Sequence, residues 1–278
     1  MSAQEIEELR RSLEILDENS IEGVKQKAEE LIVVLITSFL ESLEMKEVAD
    51  YFLHILRQLI LHVKDNVLPK MKEDPDFSNG LYRYLLESKS LSGDALGCLG
   101  EIFSLELIND CQSIEEITNK LLDSLETSEE SQYNSIIDLL VVIATESPLN
   151  FLNQCSSHRN SRYFGEELLQ LLNRSTESLM VKYLNCIQGL IEHQVSFFYS
   201  NDLKILCDII IQGLENTSDL SLRKKLLDTY DALEINEDFL SLNHRVEEAK
   251  EIADLARQSL GEAEKVKRQS IIETLING

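Results

Sequence analysis

The chain has 278 residues, enough for one large domain or two small ones, and 43% of them are hydrophobic, enough to fill a sizeable core. Aromatics are only 6%, Trp is absent and Gly and Pro are few, so Leu and Ile carry the apolar content; that mix suits helices and argues against a β-rich fold. The formal net charge of −24 repels phosphate, which makes nucleic acid and anionic membrane poor partners.

Ile6, Leu9, Leu13 and Leu16 recur at helical spacing and predict a helix over 4–17. The acidic start, Met1 to Glu8, reads as neither a signal peptide nor a transit peptide. Asn19-Ser20 breaks the pattern and caps a second helix over 21–43, with Val24, Ala28, Leu31, Ile32, Leu35, Phe39 and Leu43 on its apolar face. The longest apolar run, Leu31 to Leu40, is too short to span a bilayer. A third helix is expected over 46–68, with Val48, Phe52, Ile55, Leu59 and Val63 inward and Pro69 as its stop. Residues 70–80 carry Pro75, Asn79-Gly80 and dense charge and read as a loop.

A short helix over 81–87 and another over 92–107 follow. On the latter, Gly93, Gly97 and Gly100 fall three or four apart, a spacing that lets another helix come close. This is no phosphate loop, since no strand precedes it and no Lys-Ser/Thr follows. Ser113-Ile114-Glu115-Glu116 reads as a capping box opening a helix to 126. The next helix runs over 128–145, with Tyr133, Ile136, Ile137, Leu140 and Ile143 inward, and Pro148 ends that pair. A short segment with Phe151 and Leu152 leads into a polar loop over 156–162. Four helices are then predicted over 163–172, 177–195, 202–214 and 220–233.

Phe197, Phe198 and Tyr199 close the second of these, and Ser200, Asn201 and Asp202 each offer a side-chain oxygen to the first turn of the third. That third helix places Leu203, Leu206, Ile209, Ile210 and Leu214 on one face, widened by Ile205, Cys207 and Ile211, so it should be buried on most sides. The last helix is the longest, over 243–275, with Val246, Ala249, Ala253, Ala256, Leu260 and Ala263 alternating by three and four. Such a seam of small residues serves either a helix laid tightly along the body or a coiled-coil partner. A dozen helices on short loops, without strand signals or a clean repeat, describe an all-α, armadillo-like α-solenoid of stacked helix pairs or triplets; an irregular bundle is the alternative. The whole chain, 1–278, is expected to form one such domain.

Two stretches carry a resemblance. Tyr199-Ser200-Asn201-Asp202-Leu203, Asp208-Ile209-Ile210-Ile211 and Ser221-Leu222-Arg223-Lys224-Lys225 form the first. Arg162-Tyr163-Phe164-Gly165-Glu166-Glu167-Leu168-Leu169, followed by Leu171-Leu172-Asn173-Arg174, forms the second. In this order, with a helical hairpin between, they resemble the leucine-rich domain of the WISH/DIP/SPIN family over roughly residues 150–235. The resemblance implies an armadillo-like fold and a non-enzymatic activator of the actin-related protein 2/3 complex. Such an activator works without a preformed filament and yields an unbranched one, in the cytoplasm at cortical actin patches serving endocytosis. The family's animal members add an SH3 domain and a proline-rich segment, which this sequence lacks, so SH3-type partnering is not implied.

The charge is uneven. Residues 153–225 hold eight acidic and eight basic residues, so the whole −24 lies outside them. Within that neutral block Lys204, Arg223, Lys224 and Lys225 are the candidate partner-binding residues. Three consecutive bases fan around a helix, so at least one must lean toward Leu222, Leu226 and Leu227 while the other two face solvent. The ordinary reading of such a run is a solvated surface. The functional reading is a cluster that orients an acidic partner helix.

Catalytic patterns are missing. Cys98, Cys111, Cys155, Cys186 and Cys207 are odd in number and unpaired in spacing, which points to a reducing compartment. His54, His62, His158, His193 and His244 show no metal-ligand spacing. No nucleophile elbow, phosphate loop or zinc-protease motif occurs, and Glu166-Glu167 and Glu247-Glu248 are adjacent and point to different sides of a helix. No cofactor or metal is expected and the chain is read as a monomer. Three functional readings stand: the activator that the resemblance implies, a scaffold for another helical or peptide ligand, and an enzyme whose site the sequence hides.

Overall fold

The computed structural model describes residues 32–88, 91–103, 111–128, 130–155, 158–193 and 197–277. The helix predicted over 4–17 and the first part of that over 21–43 lie outside the described residues. Every regular element among the described residues is an α-helix. Helices α1 (Ile32–Glu41), α2 (Lys46–Glu73), α3 (Pro75–Glu87), α4 (Gly93–Phe103), α5 (Cys111–Ser124) and α6 (Glu130–Glu146) belong to one compact unit, Met1–Glu146. Helices α7 (Pro148–Cys155), α8 (Ser161–Arg174), α9 (Glu177–His193), α10 (Ser200–Asn216), α11 (Leu220–Glu234), α12 (Glu237–Leu242) and α13 (Val246–Asn277) belong to a second, Ser147–Gly278.

Each unit has the stacking order of a helical solenoid. In the first, α2, α4 and α6 pack side by side in one layer, and α3 and α5 pack behind them. In the second, α7, α9, α11 and α13 form one layer and α8, α10 and α12 the other. Helices α2, α4 and α6, and likewise α7, α9, α11 and α13, thus meet in turn along their own layer, and α2, α4, α6, α9, α11 and α13 also meet a helix of the other. Hydrophobic residues recur on both sides of each helix for this reason, and a single amphipathic face would not suffice.

Pro69 does not end the third predicted helix. Helix α2 continues through it to Glu73, and Pro69 itself is exposed. The turn around it is held by burial of Val67, Leu68 and Met71, which offsets the backbone bond that a proline cannot donate. The predicted 70–80 loop is likewise helical apart from Asp74. Asp74 caps α3 by accepting from the Asp76 and Phe77 amides at 3.0 and 3.2 Å, and Pro75 opens the helix, where its missing N–H costs nothing. Gly80 is no turn residue. A Cβ there would collide with the Leu40 side chain, so glycine lets α3 approach α1. Phe77 and Tyr84 of α3 meet Phe39 edge-on, with centroids 5.7 and 5.9 Å apart.

Other expectations shift by smaller amounts. Val48 is exposed, Tyr133 is half-buried, and the side chain of Val63 lies outside the described residues. Ser113 sits inside α5, which begins at Cys111, and so does not cap it. Pro148 opens α7 rather than ending a pair, and α8 begins at Ser161 within the predicted polar loop. Of the three glycines on α4, Gly97 alone is tightly approached, and by a side chain: the Arg57 guanidinium lies against it and Nη1 reaches the Gly97 carbonyl at 3.4 Å.

Helix α12 had no sequence signal strong enough to be predicted. Buried Asn236 caps it by accepting from the Phe239 amide at 3.0 Å, and Phe239 fills the core behind α10. Ala249, Ala253 and Ala256 of α13 are buried against α10 and α11, so the small-residue seam serves close packing along the body.

Replacing Pro69 with Ala restores a backbone donor inside α2 and removes the ring clash with the preceding turn. The substitution should stabilise the chain by about 1–3 kcal/mol in chemical denaturation. A loss of stability would mean that the rigid φ of proline matters more here than the missing hydrogen bond.

Candidate interaction surface

The two motif-bearing stretches come together in space. Helix α8 begins at Ser161 and carries Arg162, Phe164 and Gly165 in its first turns, while Phe197 and Phe198 lie in the short bend before α10. Phe164 is fully buried and packs edge-on against Phe151 of α7, with centroids 5.3 Å apart. On the next position of α8 the two Phe rings of the bend close in. A Cβ at Gly165 would stand 3.3 Å from Phe197 Cε1 and 3.6 Å from Phe198 Cε1. The rings themselves are 5.0 Å apart and nearly perpendicular, and both are buried.

A polar contact closes the outside of the same joint. The Arg162 guanidinium lies 4.0 Å from the centroid of the Tyr199 ring, a cation–π arrangement between two exposed side chains. Tyr163, 38% exposed, and Tyr199, 45% exposed, leave part of each ring to solvent beside it. The start of α10 then differs from the expected cap. Ser200 and Asn201 are exposed and lie inside the first turn, and the N-cap position falls on Tyr199. Asp202, at the third helical position, accepts from the Tyr199 amide at 2.9 Å. That is one half of a capping box, and it keeps Asp202 mostly buried.

Beyond that turn, Leu203, Leu206, Cys207, Ile209, Ile210, Ile211 and Leu214 of α10 are buried, as the pattern predicted, whereas Ile205 is 40% exposed. Ile205 shares the outer stripe of α10 with Asn201, Asp208 and Gln212, each four or fewer residues from the next.

The four candidate partner-binding residues fare differently. Lys204 of α10 is half-buried. Arg223 of α11 turns back on the fold: Nη1 donates to Ser259 Oγ of α13 at 2.9 Å and Nη2 to the Thr217 carbonyl at 2.5 Å. Lys225 turns the other way and donates to Gln188 Oε1 of α9. Burial pulls its ammonium below the usual lysine range against the opposing pull of Asp228 and Glu192. Lys224 is exposed. Two of the three consecutive bases therefore lean inward, one more than the minimum expected, because the helices on both sides of α11 present acceptors within reach.

A second charged cluster was not anticipated. The turn before α13 contains Asn243 and Arg245 with φ of 48° and 50°, the left-handed region that side chains rarely adopt. Arg245 is held there by paired bonds to Glu248 at 2.8 and 2.7 Å and by Nη1 to Asp208 of α10 at 2.8 Å. His244 Nε2 lies 3.1 Å from the same Asp208 oxygen. Partial burial alone would raise the Asp208 carboxyl, but the hydrogen bonds from Arg245 and His244 outweigh it and hold the group below the usual aspartate range. Asn243 is the left-handed C-cap of α12, a place that asparagine favours, whereas Arg245 at positive φ carries no such signal.

Nucleophilic chemistry finds little support in the described residues. Cys98, Cys155, Cys186 and Cys207 are buried, and burial pushes the thiols of Cys98 and Cys207 up to about 12 and about 11. No group of three or more His, Cys, Asp or Glu able to hold a metal occurs among the described residues. Nor is any single helix there long and apolar enough to cross a membrane.

Removing the Phe198 ring should destabilise the chain by about 3–5 kcal/mol, the usual cost of a large core truncation. Arg162→Ala should cost only about 0.5–1 kcal/mol, as suits an exposed cation–π pair. Equal effects in urea denaturation would mean that the ring packing and the guanidinium contact are not the separate layers described. Asp208→Asn tests the second cluster. The depressed carboxyl contributes stability above the ordinary aspartate range and loses it as pH falls through the depressed value. The variant should therefore be weaker than the parent at pH 7 by on the order of 1 kcal/mol, the scale of exposed ion pairs. The gap should close in acid; a gap independent of pH would remove the electrostatic account.

Comparison with known proteins places these stretches within one family domain. The family model described as "SPIN90/Ldb17, leucine-rich domain" matches residues 30–249 and so contains both motif blocks and the joint between α8 and α10. No curated protein sequence matches the chain. Among solved structures, the crystal structure of an engineered protein aligns with 84% of this chain and 97% of its own. At 15% identity and a TM-score of 0.38, that likeness carries no argument.

Proposed function

This chain belongs to the SPIN90/Ldb17 leucine-rich domain family, and from that premise we propose that it activates the actin-related protein 2/3 complex without chemistry of its own. Family membership supports an actin-associated role. The finer reading is nucleation of linear filaments by the complex in the absence of a preformed filament, at cytoplasmic cortical actin structures. The observation that carries it is the family match over residues 30–249, within which the Arg162–Gly165 and Phe197–Asp202 stretches are packed into one joint.

The physical requirement is differential affinity. A non-enzymatic activator must bind the active arrangement of its target more tightly than the inactive one, and equal affinity for both shifts nothing. A helical stack with interdigitated layers suits this, because a stiff surface favours the target conformer that matches it. The Arg162–Tyr199 pair, with exposed Tyr163 next in sequence, supplies the residue types that dominate protein interfaces. Of the basic candidates, Lys224 is the one that meets an acidic partner element. Lys204 flanks the face, while Arg223 and Lys225 shape it from within. A scaffold for another helical or peptide partner is the second reading, and the exposed aromatic rings beside Arg162 favour it equally.

In a pyrene-actin assembly assay without preformed filaments, the chain alone should leave the lag unchanged. Together with the purified complex it should shorten that lag. No effect of the pair would leave the scaffold reading in its place. Lys224→Glu should slow association with the complex and preserve helicity. The slowing should be greater at low salt, since exposed charges are screened beyond about 10 Å at 0.1 M. Association rates unchanged at both salt concentrations would take Lys224 out of the interface.

A further inference from the structure

Helices α8 and α10 end, and α9 and α11 begin, around a pocket of about 220 Å³. Its floor is apolar and made by Met180, Ile209 and Leu222. Its rim carries acceptors: the Glu177 carboxylate and the side-chain amides of Asn173 and Asn216. Glu177 is the sole ionisable group in the lining. The Thr217 hydroxyl donates to Glu177 Oε1 at 2.8 Å and so positions the carboxylate, while Oε2 has no partner among the described residues. Asn216 Nδ2 donates to the Gln212 carbonyl at 2.8 Å, which leaves Oδ1 as an open acceptor. Two helix C-termini and two N-termini meet here, so their dipoles oppose one another and Glu177 sets the sign of the site. The neighbouring Arg223 keeps its charge close by, but its Nη atoms donate to the neutral Thr217 carbonyl and Ser259 hydroxyl and not to Glu177, whose carboxylate stays open to a second cation.

Size and chemistry together select the occupant. The pocket is smaller than the roughly 300–1,000 Å³ of small-molecule and cofactor sites, and has room for one long side chain. A carboxylate would be repelled by Glu177. A purely apolar group would strip water from Glu177 and give nothing back. An ammonium would supply a point charge to acceptors spread around a rim. A guanidinium offers five donors in a planar fork at the end of an apolar stem, which matches acceptors above an apolar floor. We propose that this pocket seats an arginine side chain presented by a protein partner. The net charge of −24 lies outside residues 153–225, so it draws a basic element to the chain as a whole, and Glu177 is the charge that meets it at the pocket. The inference rests on the proposed function only for the identity of the partner, a subunit of the actin-related protein 2/3 complex.

The test uses the full chain with ¹³C-methyl methionine. The sequence has only 4 Met, which makes Met180 readily assigned. N-acetyl-arginine amide should shift the Met180 methyl and the Asn173 and Asn216 amides saturably. N-acetyl-citrulline amide, of the same shape without charge, should bind at least about tenfold more weakly, as expected when a charge-assisted bond becomes neutral. Glu177→Gln keeps the acceptor for Thr217 and removes the charge. It should weaken the arginine probe by a similar factor and leave the other Met methyls and the melting temperature unchanged. No saturable shift at Met180, an equal response to citrulline, or an unaffected titration of Glu177→Gln would each overturn the assignment. The titration contains no actin component, so failure of the chain to bind the complex would overturn the proposed function and leave this result standing.

Discussion

At the joint between α8 and α10, the rings of Phe197 and Phe198 pack close against Gly165, so that a Cβ there would stand 3.3 Å from Phe197 and 3.6 Å from Phe198. That approach joins the two motif-bearing stretches of the second unit. It sets the distance between α8 and α10 in one layer. The direction in which α10 leaves the bend is then fixed by Asp202 reaching back to the Tyr199 amide. From there α10 buries one broad face against α11, α12 and α13. Glycine costs a helix interior about 1 kcal/mol relative to alanine; at this position, two buried aromatic rings offset that cost many times over.

Electrostatics act on a finer scale. The block over 153–225 is neutral by composition, and several of its bases are engaged within the fold. Arg223 ties α11 to α13, Lys225 ties α11 to α9, and Arg162 covers the aromatic joint. Arg223 and Lys225 are half-buried, so their contribution is packing as well as charge. The proposed partner surface is narrower than the count of bases suggests: Lys224, half-buried Lys204, the exposed rings of Tyr163 and Tyr199, and the pocket at Glu177. A surface that pairs exposed Lys224 with an acidic pocket is suited to orienting a partner in a single register.

The layers of the fold were legible from the sequence because apolar residues at helical spacing report burial directly. The helix over residues 200–216 and the alanine seam of the last helix are the clearest cases. Punctuation misled where burial overrode it. Pro69 and Asn79-Gly80 carry the chemistry of breaks, yet Met71 and Phe77 on either side of Asp74 are anchored in the core, and the chain stays helical up to that residue on both sides. The inward turn of Arg223 and Lys225 could not be read either, since it depends on acceptors 36 and 37 residues away. The left-handed Arg245 is held by the Asp208 carboxylate of another helix, which no local pattern encodes, whereas left-handed Asn243 is the C-cap of α12.

The central claim is that this domain sets the actin-related protein 2/3 complex to start filaments where none existed. The most direct measurement is imaging of single filaments by total internal reflection microscopy, with labelled actin, the complex and the chain, and no seeds. The account predicts new filaments that appear away from existing ones, unbranched, in numbers that rise with the chain only when the complex is present. Filaments that arise solely as branches from the sides of older ones, or in equal numbers without the complex, would contradict it.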